Sequence, residues 1–390
     1  MAADSYREVT SQSWFSRLFD SIKSVLIGLL LLVVSFPLLF WNEGRAVQTA
    51  KSLKEGASAV ISVPADKVDP ANSGKLVHVS GQASTADTVS DPDFGVTAPA
   101  IRLVRKAEMF QWKEESKSET RTKIGGGSET VKTYTYKKEW SPTLIDSSGF
   151  KQADDHRNPG NMPVKGDSWQ AKTVTLGAFT LADAQVALLD KTEPLRPEAG
   201  AESVPDGFTF KDGGYYRGAD PAAPAVGDQR ITFEVVRPAA VSVVARQVGE
   251  TFEPYPAAAG DSILLVQYGT LSADSMFKAA ESANATLTWI LRLVGFLLMA
   301  FGLGLVFNPL AVLADVLPFM GSLLRGGIGI FAFLVALSLS LVTIAIAWLV
   351  FRPLLGLGLL VVAGAAIFAL YRYTAGKATA SAPAQPAQTA

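Results

Sequence analysis

The chain holds two histidines, His78 and His156, and no cysteine. Acid–base and nucleophilic chemistry near neutral pH therefore has few carriers. Asp154-Asp155-His156 combines two carboxylates with an imidazole, all competent ligands for a divalent cation. Three adjacent side chains rarely converge on one ion, so a solvated loop is the expectation there. Ile124-Gly125-Gly126-Gly127-Ser128 has the glycines of a phosphate-binding loop but lacks the Lys-Ser/Thr that must follow and a helix to aim amides at a phosphate. Without cysteine there is no disulfide framework, no thiolate nucleophile and no Cys-ligated metal. No H-E-x-x-H zinc motif, G-x-S-x-G elbow or dinucleotide fingerprint occurs. No catalytic residue, cofactor or metal site is expected.

Gly260-Asp261-Ser262-Ile263 resembles the nucleophile block of GDSL-type esterases, whose serine needs a histidine base. Both histidines lie upstream and the rest of that pattern is missing, so the segment reads as a turn entering a strand. With 35 basic and 36 acidic side chains the net charge is −1. A nucleic-acid partner, which needs clustered Lys and Arg, is not expected.

The elements left to carry function are set by a bilayer. A hydrocarbon core about 30 Å thick takes roughly 20 apolar residues in a helix. Four stretches come close to or exceed that length: 25–41, 287–307, 328–350 and 354–371. Arg292 is the only charge well inside a span. The expected organisation is a cytoplasmic amino terminus (1–24), a first span (25–41), an extracytoplasmic domain (42–286), a second span (287–307), a cytoplasmic interfacial loop (308–327), two more spans (328–350 and 354–371) and a disordered cytoplasmic tail (372–390). Trp14, Phe15, Leu18, Phe19 and Ile22 recur at helical spacing and suit an interfacial amphipathic helix, or an extension of the first span. Arg325, Arg372 and Lys377 fall on one side of a four-span arrangement, which by the positive-inside rule is the cytoplasm. Trp41, Arg45, Arg292, Arg325, Arg352 and Arg372 are the candidate interface anchors; Arg352 stands on the opposite side and can snorkel. Asn308-Pro309 should break the second helix, and Asp315 and Arg325, which could pair, are expected to face water.

The polar domain reads mostly as strand. Ala107 to Lys117 and Val131 to Trp140 are aromatic and Thr-bearing and flank the glycine run, the pattern of a long hairpin. Further strands are expected at 75–81, 100–104, 231–236, 241–247 and 263–268. Thr180 with Asp183 suggests a capping box opening a helix over 181–191. Ser272 can cap a helix that runs into the second span, and 45–60 can continue the first. Gly74 to Gly81 and Gly227 to Val235 resemble each other loosely, which admits two copies of a small β unit.

Transporters place acids or histidines at mid-membrane or interrupt matched helices. These spans offer Ser338, Ser340 and Thr343 with Arg292, and no acid. Small residues at such density pack helices: Ala300 and Gly304 form a small-xxx-small pair, Gly356 lightens the last helix, and Ser338 and Ser340 suit close approach in the third span.

Six collinear blocks resemble the LUMA family, also called the transmembrane protein 43 family. They are Asn42-Glu43-Gly44-Arg45-Ala46, Gly74-Lys75-Leu76-Val77-His78, Ser90-Asp91-Pro92-Asp93-Phe94-Gly95-Val96, Glu108-Met109-Phe110-Gln111-Trp112, Val244-Ala245-Arg246-Gln247 and Trp348 to Leu354. The resemblance covers nearly the whole chain. It implies four spans, both termini on the cytoplasmic or nucleoplasmic side and a large lumenal domain. It also implies residence in the endoplasmic reticulum and inner nuclear membrane for animal members, which self-associate and organise membrane protein complexes with lamins and emerin. The Ala-rich tail and absent cysteine suit a bacterial relative in an inner membrane, to which lamins and emerin do not carry over.

The expected fold class is thus a multi-pass α-helical membrane protein with four transmembrane helices and a large β-rich α+β extracytoplasmic domain. The expected function is a non-enzymatic scaffold, forming a homo-oligomer and organising other membrane proteins within the lipid bilayer. A membrane-anchored hydrolase-like enzyme is the alternative, and a transporter or channel stands third.

Overall fold

The computed structural model describes residues 4–198 and 204–358 and scattered positions from 361 to 368. The chain divides into a β-rich unit, Met1–Trp14 with Lys51–Ala283, and a helical unit, Phe15–Ala50 with Asn284–Ala390.

The β-rich unit is organised by the hairpin that the glycine run announces. Strands Arg102–Thr122 and Ser128–Ser141 pair antiparallel from Met109↔Ser141 to Thr122↔Ser128. At the tip, Gly125 and Gly126 take φ of +90° and +81°, a backbone region open to glycine without a Cβ penalty. The inner half of the first hairpin strand pairs with Gln229–Val236. Leu103, Ala107 and Met109 on one, and Ile231, Phe233 and Val235 on the other, alternate into the core. In a second, seven-stranded sheet Ala239–Val248 lies between Leu76–Ser84 and Leu265–Tyr268. Phe94, Phe179, Phe233 and Phe252 fill the core. The Asp91 to Phe94 block forms a turn around a buried cation: Asp91 accepts from the Asp93 amide at 2.9 Å and holds Arg105 through both oxygens, at 3.0 and 2.9 Å. The two stretches that admit a repeat fall in different sheets, Leu76–Ser84 in one and Gln229–Val236 in the other.

Two expectations for this unit change. The helix expected over 181–191 is the five-residue α2, Asp183–Ala187, because Leu181 belongs to the strand Phe179–Leu181, paired to Val174–Leu176. Gln185, not Thr180, closes the amino end by accepting the Ala182 amide at 2.7 Å. Ser5–Gln12, expected within the cytoplasmic segment, is a strand paired along its length with Ser128–Thr135 of the hairpin.

Helix α1 runs over Trp14–Ala59, α3 over Ala273–Ala314 and α4 over Pro318–Phe351. All three are long and apolar enough to cross a membrane, so the described residues hold three candidate spans where four were expected. The fourth, 354–371, is described only in part, helical at 354–358 and at scattered positions from 361 to 368, and Arg372 lies outside the described residues. Pro309 does not end α3: the helix continues to Ala314, with Ala311 and Val312 buried, and the break falls instead at 315–317. The helix loses one proline amide, and its next turn still buries an apolar face.

Within the helical unit α1 and α3 approach each other through two glycines. A Cβ on Gly28 would lie 2.6 Å from the Gly302 carbonyl oxygen, and one on Gly302 2.8 Å from the Gly28 oxygen. Leu39, Met299, Leu303, Ala332 and Ala336 form a buried cluster. Leu26, Ile27, Leu30, Val33, Phe301 and Ile330 are exposed, as a lipid-facing surface requires.

Candidate functional site: a buried carboxylate among three helices

Past the end of its apolar run, α1 keeps one buried stripe: Leu39, Asn42, Glu43, Ala46 and Val47 recur at the three- and four-residue steps of a helix face. Hydropathy ends at Trp41, but the packing face does not. Glu43, fully buried, is therefore held between helices, and α3 answers it with Arg292. The guanidinium presents Nε to Glu43 Oε1 at 2.6 Å and Nη2 to Oε2 at 2.9 Å, a two-point fork of the kind arginine makes best. The third helix closes the group, with Trp348 Nε1 of α4 donating to Glu43 Oε2 at 2.8 Å. Arg292 also lies over the rings of Trp289, at 4.6 Å, and Trp348, at 5.8 Å, where cation–π attraction adds to the ion pair.

Two residues along α1, Arg45 donates to Asn284 Oδ1 and Thr288 Oγ1, both at 3.0 Å. Asn42 donates to the Thr288 carbonyl and Asn284 to the Ala46 carbonyl, each at 3.0 Å. Arg45 and Arg292, expected as interface anchors, thus each join α1 to α3. Trp41, by contrast, is exposed. Arg352 caps the end of α4, its amide bonded to the Trp348 carbonyl at 2.8 Å.

A second buried carboxylate lies at the opposite end of α1. Asp315, expected to face water, is fully buried and held by Arg17 Nη2 at 2.6 Å and by Arg325 through both oxygens. Room for it comes from Gly321, where a Cβ would fall 1.7 Å from Asp315 Oδ1. From Arg17 to Glu43 a helix rises about 39 Å, close to the thickness of a bilayer counted to its polar headgroups. One end carries Glu43 against Arg292 and the Trp348 indole, the other Asp315 against Arg17 and Arg325, and the stretch between is closed by Gly28 and Gly302.

Chemically, these groups tie helices together. Glu43 is held by one guanidinium and an indole N–H, and Asp315 by two guanidinium groups. Among the described residues no group of three metal-binding side chains occurs. His156 turns away from Asp154 and Asp155 and bonds Gln152 and Asp4, so the candidate cation site does not assemble. Ser262 sits in a two-residue strand opposite Pro256, and His78 bonds Ser62, Ser80 and the Leu271 carbonyl instead of it.

The packing candidates separate. Ser340 is buried and bonds the Leu337 carbonyl at 3.0 Å, while Ser338 is exposed and bonds the Leu334 carbonyl at 2.9 Å. Two residues apart on a helix point about 200° apart and do not share a face. Ala300 is half-buried against the Leu39 and Met299 cluster. Gly304 has open space where a Cβ would go, so the close approach belongs to Gly302. Gly356 is buried, with Leu349 2.8 Å from its would-be Cβ.

The profile of the family described as Transmembrane protein 43 matches residues 109–353. Transmembrane protein 43 of Rattus norvegicus is 36% identical over 352 residues, 87% of this chain and 88% of the relative. The chain belongs to the transmembrane protein 43 family. Transmembrane protein 43 of Homo sapiens is 36% identical over 359 residues, covering 89% of each chain. A Drosophila melanogaster homologue is 31% identical over 352 residues, 86% of this chain and 90% of the relative. No solved structure matches. Two of the blocks through which the transmembrane protein 43 family is legible meet at the buried carboxylate: Asn42 to Ala46 brings Glu43 and Arg45, and Trp348 to Leu354 brings the indole donor. A third, Asp91 to Phe94, is the turn around Arg105. As a member of the transmembrane protein 43 family with membrane-spanning helices, this is an integral membrane protein.

Proposed function

We propose that this protein is a non-enzymatic membrane scaffold that associates with copies of itself and organises other membrane proteins around its helices. The observation that carries the reading is the use made of intramembrane charge. Ionisable side chains in a bilayer normally mark a pathway or a reaction. Here Glu43 is spent on Arg292 and Asp315 on Arg17 and Arg325, a use that fixes helix positions and leaves a large apolar exterior for lipid and partners. A bacterial inner membrane is the compartment we favour, on the cysteine-free composition and Ala-rich tail.

The test is the mass of the intact chain in native-membrane nanodiscs. Assemblies of two or more copies are expected. A monomer at every protein-to-lipid ratio overturns self-association, and turnover of generic ester or nucleotide substrates by the purified chain overturns the non-enzymatic reading.

A further inference from the structure

The helix segments around Glu43, 41–47 of α1, 284–292 of α3 and 347–352 at the end of α4, carry one acid against Arg45, Arg292 and Arg352. Arg292 takes up that acid, since its Nε and Nη2 occupy both Glu43 oxygens, at 2.6 and 2.9 Å. Arg45 is left with neutral acceptors. Its Nη1 meets Asn284 Oδ1 at 3.0 Å, its Nη2 meets Thr288 Oγ1 at 3.0 Å and Asn42 Oδ1 at 3.4 Å, and its Nε is buried with no partner. This guanidinium is one hydrogen bond and one counter-charge short, and a donor held out of water without an acceptor is costly. Arg352 is brought to the same level by the way α4 ends. A Cβ on Gly44 would lie 2.7 Å from the Phe351 ring, which packs on Phe40 at 5.1 Å, so α4 reaches α1 one residue from Arg45 and Arg352 follows directly. The Arg352 amide is bonded to the Trp348 carbonyl, and its guanidinium has no partner among the described residues. Arg45 and Arg352 are both half-buried, so an anion from outside can reach them.

All of these residues belong to the helical unit, at the level where hydrocarbon gives way to headgroups. The apolar run of α1 stops at Trp41 and that of α3 starts at Leu287, and Trp41 and Trp289 are exposed, as indoles are at a membrane interface. The anion fixed at this depth is the lipid phosphodiester, which a guanidinium grips through two N–H groups. Basic pockets between membrane helices bind headgroups in this way. A zwitterionic headgroup brings its own cation and leaves the arginines in excess, whereas an anionic one neutralises them. We infer that Arg45 and Arg352 form a site for the phosphodiester headgroup of an anionic phospholipid, with its acyl chains on the neighbouring apolar surface, where Leu349 and Val350 are exposed. This goes beyond the scaffold reading and does not depend on it.

The test is thermal unfolding of the intact chain in nonionic detergent with added phosphatidylglycerol, or with phosphatidylcholine of the same acyl chains. A ligand that binds the folded chain raises its unfolding temperature, so phosphatidylglycerol should raise it further than phosphatidylcholine does. Arg352→Gln, which leaves the bonds of Glu43 and Arg45 in place, should shrink that difference, and Arg45→Gln should do the same. Each variant is compared with itself in the two lipids, so a general loss of stability does not enter the reading. Should Arg45→Gln fail to fold, Arg352→Gln decides alone. An equal rise with both lipids in the wild type, or an undiminished difference in either variant, overturns the site. Glycerol phosphate carries the anion without acyl chains. If it matches the phosphatidylglycerol shift at the same concentration, the ligand is a free phosphate and the lipid assignment is overturned.

Discussion

Glu43 of α1 and Arg292 of α3 meet in a two-point ion pair that Trp348 of α4 completes, so one carboxylate sets the mutual position of three helices. Removing one member of such a buried pair strands the other. Glu43→Gln should cost about 3–5 kcal/mol, the usual consequence of an uncompensated buried charge. Glu43→Gln combined with Arg292→Met should recover part of that loss, since no charge is left unpaired. Thermal unfolding of both variants in detergent checks this: a double variant less stable than Glu43→Gln would show that the pair does not act as a unit.

At the other end, Asp315 occupies space that only glycine leaves at 321. Gly321→Ala should displace the carboxylate from Arg17 or Arg325 and cost at least the 1–3 kcal/mol typical of overpacking. Asp315→Asn, which keeps the volume and removes the charge, separates the two effects. Unchanged unfolding temperature in Gly321→Ala would show that the α3 to α4 turn yields freely.

Burial holds the His78 imidazole below its ordinary value near 6.5, and the bond to the Leu271 carbonyl pulls partly the other way. That carbonyl only accepts, so Nε2 carries the proton and Nδ1 is left to accept from Ser62. The folded chain thus takes up this proton less readily than the unfolded chain. Stability from this site is fully present above about 6.5, the unfolded value, and falls as pH drops from there through the lowered folded value. His78→Gln should flatten the stability profile of the intact chain across that window. An unchanged slope in urea titrations at stepped pH would remove His78 as the cause.

The hairpin was legible because its signals are local: Thr and aromatic alternation flanks three glycines that only a turn explains. The edge strand Ser5–Gln12 was not, because most of its side chains are exposed on both faces and its partner lies over a hundred residues away. Glu43 escaped for a different reason. An apolar-run criterion stops at Trp41, whereas the packing face of α1 continues in phase through Asn42, Glu43 and Ala46. Asp315 and Arg325 sit between the apolar spans, where sequence favours solvation, and the buried pairing depends on Gly321 and on Arg17 from a distant segment.

The phase of α4 gives the last prediction. Ala332, Ala336, Ser340, Thr343 and Ala347 are buried at steps of three and four, so small side chains form one seam along the helix. Ser338 lies off that seam. A leucine at 338 adds apolar area to a lipid-facing surface, and losing the hydroxyl bond to Leu334 costs only about 0.6 kcal/mol in a bilayer. A leucine at 340 must be accommodated inside the seam, at about 1–3 kcal/mol. Ser340→Leu should therefore lower the unfolding temperature and weaken assembly in detergent, while Ser338→Leu stays near wild type and Ser340→Ala is mild. If Ser338→Leu proves the more damaging of the two, position 338 contacts another protein surface in the assembled state instead of lipid.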